Sequence, residues 1–574
     1  MAKPTDESSD LQVSAPKLTR AQKWRVVRKM ARGYAVGIGR VLGVAGIGGV
    51  AATGFQPLML WPLTLAAFAW LIDRIERAPS TRRATLIAWL FGVGHFTIGN
   101  TWIATAFTYQ AQMPAWLGYV AVVLLALYLA IYPALATFAA RAVAKRTGAA
   151  LLPTFAAFWI VAEWLRGWVF TGFPWNPLGV VALGPFDRPG LAQVAAFTGT
   201  YALSGVVILL AGQWLFGWRR LINLRKTERS PRTLVPALVH AAVPVALLLL
   251  PLHGDTSPGM LPFTLVQPDL RQDEINDPAR FEAQFRNLAA LSLPRRPGQR
   301  RVVLWPEGAV PDFLRSGYPR YWYESTTLGA DPVLARTRLG WTVGQNSLLL
   351  TGTTDLELRH TGPQADPNNA TVAGAWNVVT VLDHTGAIRG SYAKAHLVPY
   401  GEYLPLRDWL EPLGLSRLVS GNLDFLSGPG PRTLDFGDPA HGGWGRIGMQ
   451  ICYEIVFSGH VIDRAHRPDF LFNPSNDGWF GPSGPPQHLA QARLRAIEEG
   501  VPILRSTTTG ISAVIDASGG VRAFAAPHRA QRIDALVPPV HATTLFARFG
   551  NQVPLGWAVA LLAIALVATR RRLG

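Results

Sequence analysis

The 574-residue sequence predicts a polytopic α-helical membrane domain of eight spans, with a mixed α/β domain inserted before the last span on the extracytoplasmic side. Three observations lead there. The mean hydropathy is positive, +0.19, in a chain with 20 tryptophans, and 574 residues exceed what one hydrophobic core organises. Apolar runs of about 20 residues, each long enough for one crossing, recur before residue 252 and once more near the end. Between them, residues 255–539 change composition sharply and carry most of the acidic side chains.

Residues 1–32 read as a polar cytosolic tail, with Lys17, Arg20, Lys23, Arg25, Arg28, Lys29 and Arg32 ahead of the first apolar run. The tail is too long for the n-region of a cleaved signal peptide, and further spans follow, so a retained signal anchor is expected. An amphipathic segment on the membrane surface around Trp24 is the alternative to a solvated tail. The spans fall near residues 34–53, 57–73, 84–108, 114–140, 149–168, 191–218 and 233–251, giving a transmembrane domain over 33–252. The eighth lies near 553–569, with 570–574 as a cytosolic end. Arg40, inside the first span, is expected to snorkel to the cytosolic surface.

With 54 Lys and Arg against 36 Asp and Glu, the net charge of +18 raises nucleic acid as a partner. The basic residues sit at the ends of apolar runs, so no nucleic acid is expected. They orient the spans instead. The tail, the loop of Arg74, Arg77, Arg82 and Arg83, the loop Arg141 to Arg146, the loop Arg219 to Arg232 and the end Arg570 to Arg572 are basic. Connections near Gly54, near Gln110 and across Val169 to Gly190 carry almost no Lys or Arg. The basic loops alternate with the others and so share the cytosolic side, which leaves both termini in the cytosol and residues 255–539 across the membrane.

Strand-like runs in that segment are Leu261 to Gln267, Val302 to Trp305, Ser347 to Thr351, Asn377 to Leu382, Ile447 to Ile451, Phe470 to Phe472 and Ile511 to Ile515. Gln487 to Glu499 reads as a helix closed by Gly500, with Arg495, Glu498 and Glu499 as a solvated or paired face. In the membrane part, Glu163 and Arg166 lie three apart, which suits a helix-face ion pair near the outer boundary or a headgroup contact. Trp168, Phe170, Phe173 and Trp175 read as an interfacial aromatic belt.

The chemistry centres on Cys452, the only cysteine, in GRIGMQICYEIVF. An apolar strand followed by small and polar residues suggests a sharp turn that presents the thiol, as nucleophiles are presented. A free cysteine packed as a small hydrophobe is the other reading. Outside the cytosol a lone thiol has no disulfide partner within the chain, so it is kept for chemistry or deeply buried. The 12 histidines form no short-spaced pair with Cys452 or with a carboxylate cluster, and no metal is expected. VVLWPEGAVP delivers Glu307 at the end of a strand-like run, and SYAKAHLVPYGEYLP supplies Lys394 and Glu402. A carboxylate, an ammonium and a thiol are the base, oxyanion stabiliser and nucleophile that acyl transfer needs, with Lys394 also favouring the thiolate.

These three stretches resemble the carbon-nitrogen hydrolase (nitrilase) superfamily, whose Glu-Lys-Cys triad occurs in this chain order on an α-β-β-α sandwich. EWLRGWVFTGFPWNPLG from Glu163, AQVAAFTGTYALSG from Ala192 and SNDGWFGPSGPPQHLAQARLRAIEEGVPILRSTTTGISAVIDASG from Ser475 sharpen the likeness. With a nitrilase-like domain ahead of the last of eight spans, the chain resembles the apolipoprotein N-acyltransferases of the bacterial cytoplasmic (inner) membrane. The resemblance implies a phospholipid acyl donor cleaved at its sn-1 ester, a thioester on Cys452, and transfer to the α-amine of a diacylglyceryl-cysteine on an apolipoprotein. It implies Glu307, Lys394 and Cys452 as catalytic residues and no cofactor. Glu402 would orient Lys394, share the base function or merely satisfy its turn, while Tyr453 and Glu454 would shape the acceptor site. The chain departs from the family pattern at Asp269, at Ile275-Asn276 and at Thr509. A membrane-tethered amidase and a catalytically inactive scaffold are the alternatives.

Overall fold

The computed structural model describes residues 19–109, 114–224, 231–360, 370–413 and 424–573. Helices α1 (Arg20–Ala51), α2 (Trp61–Arg77), α3 (Thr81–Gly99), α4 (Ile103–Ala106), α5 (Trp116–Leu129), α6 (Ile131–Thr147), α7 (Leu151–Arg166), α8 (Ala195–Leu224) and α9 (Pro231–Leu248) form a bundle. All seven early apolar runs are helical. Among the described residues, four segments are long and apolar enough to cross a membrane: Gly37–Gly54, Trp116–Thr147, Gly190–Asn223 and Gln552–Thr569. A fifth is reached if α3 and the stretch Ile103–Tyr109, bent by 51°, count as one span. The expected eight are not reached on this measure, because α2 and α7 have only 17 and 16 residues, α2 ends in Asp73, Arg74, Glu76 and Arg77, and the apolar part of α9 is only Leu234–Leu248. The tail also differs from expectation: α1 begins at Arg20, so the basic residues from there on belong to a helix, with Trp24 exposed on it. Residues 1–18, the connection at Gln110 and much of the Arg219 to Arg232 loop lie outside the described residues.

The basic turns gather at one end of the bundle. Arg219 reaches Asp73 at 2.7 Å and Glu76 at 2.6 Å, Arg141 donates to the carbonyls of Glu76 and Ala78, and Thr569 donates to the carbonyl of Gly148. The α/β domain caps the other end, where Gln487 donates to the carbonyl of Gln56 at 3.1 Å.

The α/β domain contains strands β1 (Pro262–Gln267), β2 (Arg301–Leu304), β3 (Ser347–His360), β4 (Ala370–Asp383), β5 (Ile388–Ala393), β6 (Thr433–Asp435), β7 (Arg446–Met449), β8 (Phe470–Ser475), β9 (Ile503–Thr507), β10 (Ser512–Ile515), β11 (Val521–Ala525) and β12 (Gln531–Leu536). They form two six-stranded sheets, ordered β12-β1-β2-β3-β4-β5 and β11-β10-β9-β8-β7-β6. Alternation along each strand explains the layering. Val302, Leu304, Leu348 and Leu350 face Ile447, Met449, Phe470 and Phe472 across the inter-sheet core. The intervening Val303 and Leu349 meet Leu288 of α10 (Phe281–Ser292) and Leu339 of a later helix outside the first sheet. The short α11 (Arg320–Thr326) precedes that helix, α12 (Pro332–Val343), and α13 (Arg407–Leu410) follows β5.

Leu471 and Ile503 meet Leu489 and Ala496 of α14 (Gly484–Glu499) outside the second sheet. The result is an α-β-β-α sandwich whose central strands are buried on both faces, which is why they read as continuous apolar runs. The helix α14 is buried on every side, wedged between the second sheet and α8. Arg495, Glu498 and Glu499 are therefore not a solvated face: Arg495 and Glu498 pair at 2.7 Å, and Glu498 accepts from the Thr200 amide at 2.6 Å. The chain returns to the bundle through α15 (Leu545–Phe549) and α16 (Gln552–Leu573).

Candidate active site

Three strand ends converge. The chain leaves β2 through Trp305-Pro306 to reach Glu307, leaves β5 directly into Lys394, and leaves β7 through Gln450-Ile451 to reach Cys452. All three side chains are enclosed, at 9%, 1% and 6% exposure respectively. Cys452 takes φ +50°, a left-handed conformation that non-glycine residues adopt at a cost and that the surrounding structure must hold.

Lys394 Nζ donates to Glu402 Oε1 at 2.9 Å and to Glu307 Oε1 at 3.4 Å. Burial alone would strip its proton, but the carboxylates of Glu402 and Glu307 and the neighbouring Cys452 outweigh that and raise its pKa. The opposite carboxylate oxygen of Glu307 accepts from the Asn476 amide at 2.8 Å. For Cys452 the balance runs against the expected thiolate. Burial foremost, then the negative Glu307, push the thiol pKa up, and Lys394 offsets only part of it. The resting group is a thiol, so its proton must leave as the bond to carbon forms.

Glu402 contacts both Lys394 and its own turn. Oε1 takes the Lys394 ammonium, while Oε2 accepts from the Val398 amide at 2.8 Å and so closes its own turn. Glu454 departs from its expected role in the acceptor site. Its carboxylate is buried and accepts from the Ile451 amide at 2.7 Å, the Ala395 amide at 2.7 Å and the Tyr392 hydroxyl at 2.9 Å. It staples the turn of Cys452 to the strand end of Lys394. Burial pushes its pKa up to about 7 against the pull of those backbone donors. Tyr453 is also buried, with its hydroxyl donating to the carbonyl of Gly172 in the helical domain at 3.3 Å.

Glu163 and Arg166 do not pair with each other among the described residues. Glu163 accepts from Trp159 at 3.0 Å and from the Leu178 amide at 2.8 Å, whereas Arg166 donates to the carbonyls of Phe173 and Trp175 at 2.8 Å each. Each is spent on a different part of the loop after α7, so together they shape that loop. Trp175 consequently leaves the proposed belt: it is fully buried, whereas Trp168 and Phe170 remain exposed at 53% and 82%.

Asn377 on β4 went unread in the sequence. Its amide donates to Glu307 Oε1 at 2.7 Å and to Glu402 Oε1 at 3.1 Å, tying base and orienting carboxylate together. The signal was a lone amide opening the apolar run NVVTVL, which a strand buried on both faces does not tolerate without partners. Asp269 and Thr509 are in contact. Asp269 sits at φ +57°, which Asn and Asp both tolerate, and it accepts from the Thr509 hydroxyl at 2.5 Å.

A cleft of about 660 Å³ opens between the bent end of the third apolar run and the α/β domain, lined by Thr105 and Tyr109 on one side and Gln272, Asp477 and Gly478 on the other. Gln272 accepts from the Asn476 side chain at 2.8 Å, so the cleft wall is one residue from the amide that holds Glu307.

Residues 47–213 match the apolipoprotein N-acyltransferase N-terminal domain, and residues 271–537 match the carbon-nitrogen hydrolase family. An apolipoprotein N-acyltransferase of Bradyrhizobium diazoefficiens is 34% identical over 540 residues, covering 92% of this chain and 94% of the relative. One from Caulobacter vibrioides is 32% identical over 550 residues, with 92% and 94% covered. Among solved structures, the C. elegans NitFhit protein aligns with 55% of this chain and 66% of its own, at 20% identity and a TM-score of 0.33. Identity sustained over nearly the whole length of both chains, through helical and α/β parts alike, makes this protein a member of the apolipoprotein N-acyltransferase family.

Proposed function

We propose that the protein N-acylates apolipoproteins by a two-step transfer through a thioester on Cys452, with a membrane phospholipid as donor. The observation that carries this reading is the enclosed meeting of three strand ends, which brings the only cysteine under the influence of the Glu307 carboxylate and the Lys394 ammonium. Glu307 takes the thiol proton as sulfur attacks the sn-1 ester carbon. The oxyanion that forms is held by the Lys394 ammonium and the backbone amide after Cys452. The tetrahedral adduct collapses, the lysophospholipid alkoxide leaves with the proton from Glu307, and the acyl chain stays on sulfur. The α-amine of a diacylglyceryl-cysteine then attacks the thioester, Glu307 accepts its proton, and as the C–S bond breaks and the amide forms Glu307 passes that proton to the departing sulfur, restoring thiol and carboxylate. Neither step calls for a metal or cofactor.

The same reading gives eight spans with both termini in the cytosol, a periplasmic α/β domain over 255–539, and location in the bacterial inner membrane. The clustering of basic turns at the bundle end opposite the α/β domain supports that orientation. The cleft beside Tyr109 supports sideways access from the bilayer. Extracting a phospholipid into water would cost about 0.8 kcal/mol per exposed methylene, and a lateral route avoids that.

The test is the intact mass of purified protein incubated with phospholipid alone. An added fatty acyl mass that hydroxylamine removes, and that Cys452→Ala lacks, is the expected result. Release of free fatty acid with no adduct would favour a tethered amidase and overturn the reading.

A further inference from the structure

Deeper than the triad, the carbonyl of Cys452 has a partner of its own. His488 Nε2 lies 3.1 Å from it, on a ring with no solvent exposure. A carbonyl only accepts, so Nε2 carries the hydrogen. On the other side of the ring, Nδ1 lies 2.9 Å from the Arg505 guanidinium, which only donates, and 3.1 Å from Asp477 Oδ1, whose charge that same guanidinium takes up. Burial and the adjacent guanidinium lower the pKa of the ring, so it is neutral and held in a single tautomer. Asp477 accepts from Arg505 at 2.7 and 2.8 Å and fixes that guanidinium in turn.

This contact has a geometric consequence. In a trans peptide the carbonyl and the following N–H point in opposite directions. Pinning the Cys452 carbonyl toward α14 therefore aims the Tyr453 N–H away from α14. That N–H belongs to the first turn of a short helix, Cys452–Val456, and so lacks a partner within it. Since Cys452 holds a left-handed φ that its own sequence does not favour, the direction of this plane depends on an outside contact.

The neighbouring residue, Gln487, ties the same helix to the bundle. Its Oε1 accepts from Trp175 Nε1 and from the Asn176 amide at 2.9 Å each, and the Trp175 ring lies 5.2 Å from the His488 ring. We infer that His488 is a positioning residue for the acyl transfer: it carries the seating of the membrane-domain loop at Trp175 into the peptide plane of Cys452, and thereby aims the oxyanion-binding N–H of Tyr453. The inference rests on the two-step reading above.

The test compares His488→Leu and His488→Gln with the wild type, measuring phospholipid-dependent acylation of Cys452 and, separately, its alkylation by iodoacetamide. Alkylation forms no oxyanion and serves as the control. For His488→Leu the maximal acylation rate should fall by about a hundredfold, the loss typical of one oxyanion donor. Its half-saturating phospholipid concentration and its alkylation rate should stay within about twofold of wild type. His488→Gln, whose amide donates toward the same carbonyl, should recover acylation to within about tenfold. Wild-type acylation rates in the leucine variant would overturn the inference, as would parallel losses of acylation and alkylation that glutamine does not rescue. If the leucine variant does not fold, the glutamine variant decides alone, and a loss beyond tenfold overturns the inference. If the wild type takes no acyl group from phospholipid, the donor assignment fails, and the same ranking is then read with 4-nitrophenyl acetate acylating Cys452.

Discussion

Glu307 and Lys394 act on Cys452 in opposite senses, and this separates its ionisation from its chemistry. A thiol with a raised pKa stays protonated below that value, so its thiolate fraction grows tenfold per pH unit, and alkylation should rise through pH 9.5 with no plateau near 9. Burial is the larger cause and Glu307 the next. Glu307→Gln should therefore speed alkylation at pH 8 while slowing acylation by about a hundredfold or more. Lys394→Met should slow both. Slower alkylation in Glu307→Gln would mean that the carboxylate extracts the thiol proton even without an acyl donor, against the electrostatic argument. Asn377→Leu leaves two buried carboxylate oxygens without their amide donor, which costs about 1–3 kcal/mol and should appear as lower thermal stability together with slower acylation. The triad was legible because Glu307 and Cys452 end apolar runs and the motifs, that of Lys394 included, are specific. Asn377 and His488 were not, because their roles are contacts between elements far apart in sequence.

Close approach between elements sets the geometry of the site. A Cβ on Gly352 of β3 would lie 2.6 Å from Glu307 Cα and 2.6 Å from the Gly308 nitrogen. Both are backbone atoms, so Gly352→Ala must displace the turn that carries the base. Acylation should fall more than about tenfold, in line with the penalty for small misplacements of reacting groups. An alanine variant with wild-type rates would show that this turn has slack. On α14, Glu498→Gln keeps an oxygen for the Thr200 amide but leaves Arg495 buried without its counter-charge. A loss of about 3 kcal/mol is expected in detergent unfolding. Unchanged stability would show that the pair does not hold α14 to the bundle. Sequence reading placed seven strands but missed β5, β6, β9, β11 and β12. Edge strands such as β6 (TLD) and β11 (VRAFA) are short and partly exposed, and carry little periodicity. It left the charged face of α14 open between solvated and paired, because the contacts of Arg495 and Glu498 with Thr200 come from the other domain and the sequence of the helix does not reveal them.

For the molecule as a whole, the proposed orientation and the proposed reaction are linked: on this reading the acceptor amine and the nucleophile meet on the periplasmic side. In a Cys452→Ser background, Ser316→Cys on the exposed surface of the α/β domain should react with an impermeant maleimide in intact spheroplasts. Arg82→Cys, in the first turn of α3, should react only after the membrane is opened. The reverse pattern would invert the topology. Eight apolar runs were legible and are helical where described, but the number that cross is harder to read because helices such as α2 and α7 are short. The central claim is that Cys452 holds the acyl group between two substrates. The most direct measurement is a single-turnover discharge: protein preloaded with a labelled acyl chain and freed of phospholipid is mixed with a diacylated lipopeptide bearing a free α-amine. The account predicts that label leaves the protein and appears as amide on the lipopeptide in equal amount. Label released as free fatty acid, or full transfer by Cys452→Ala in a parallel reaction, would contradict it.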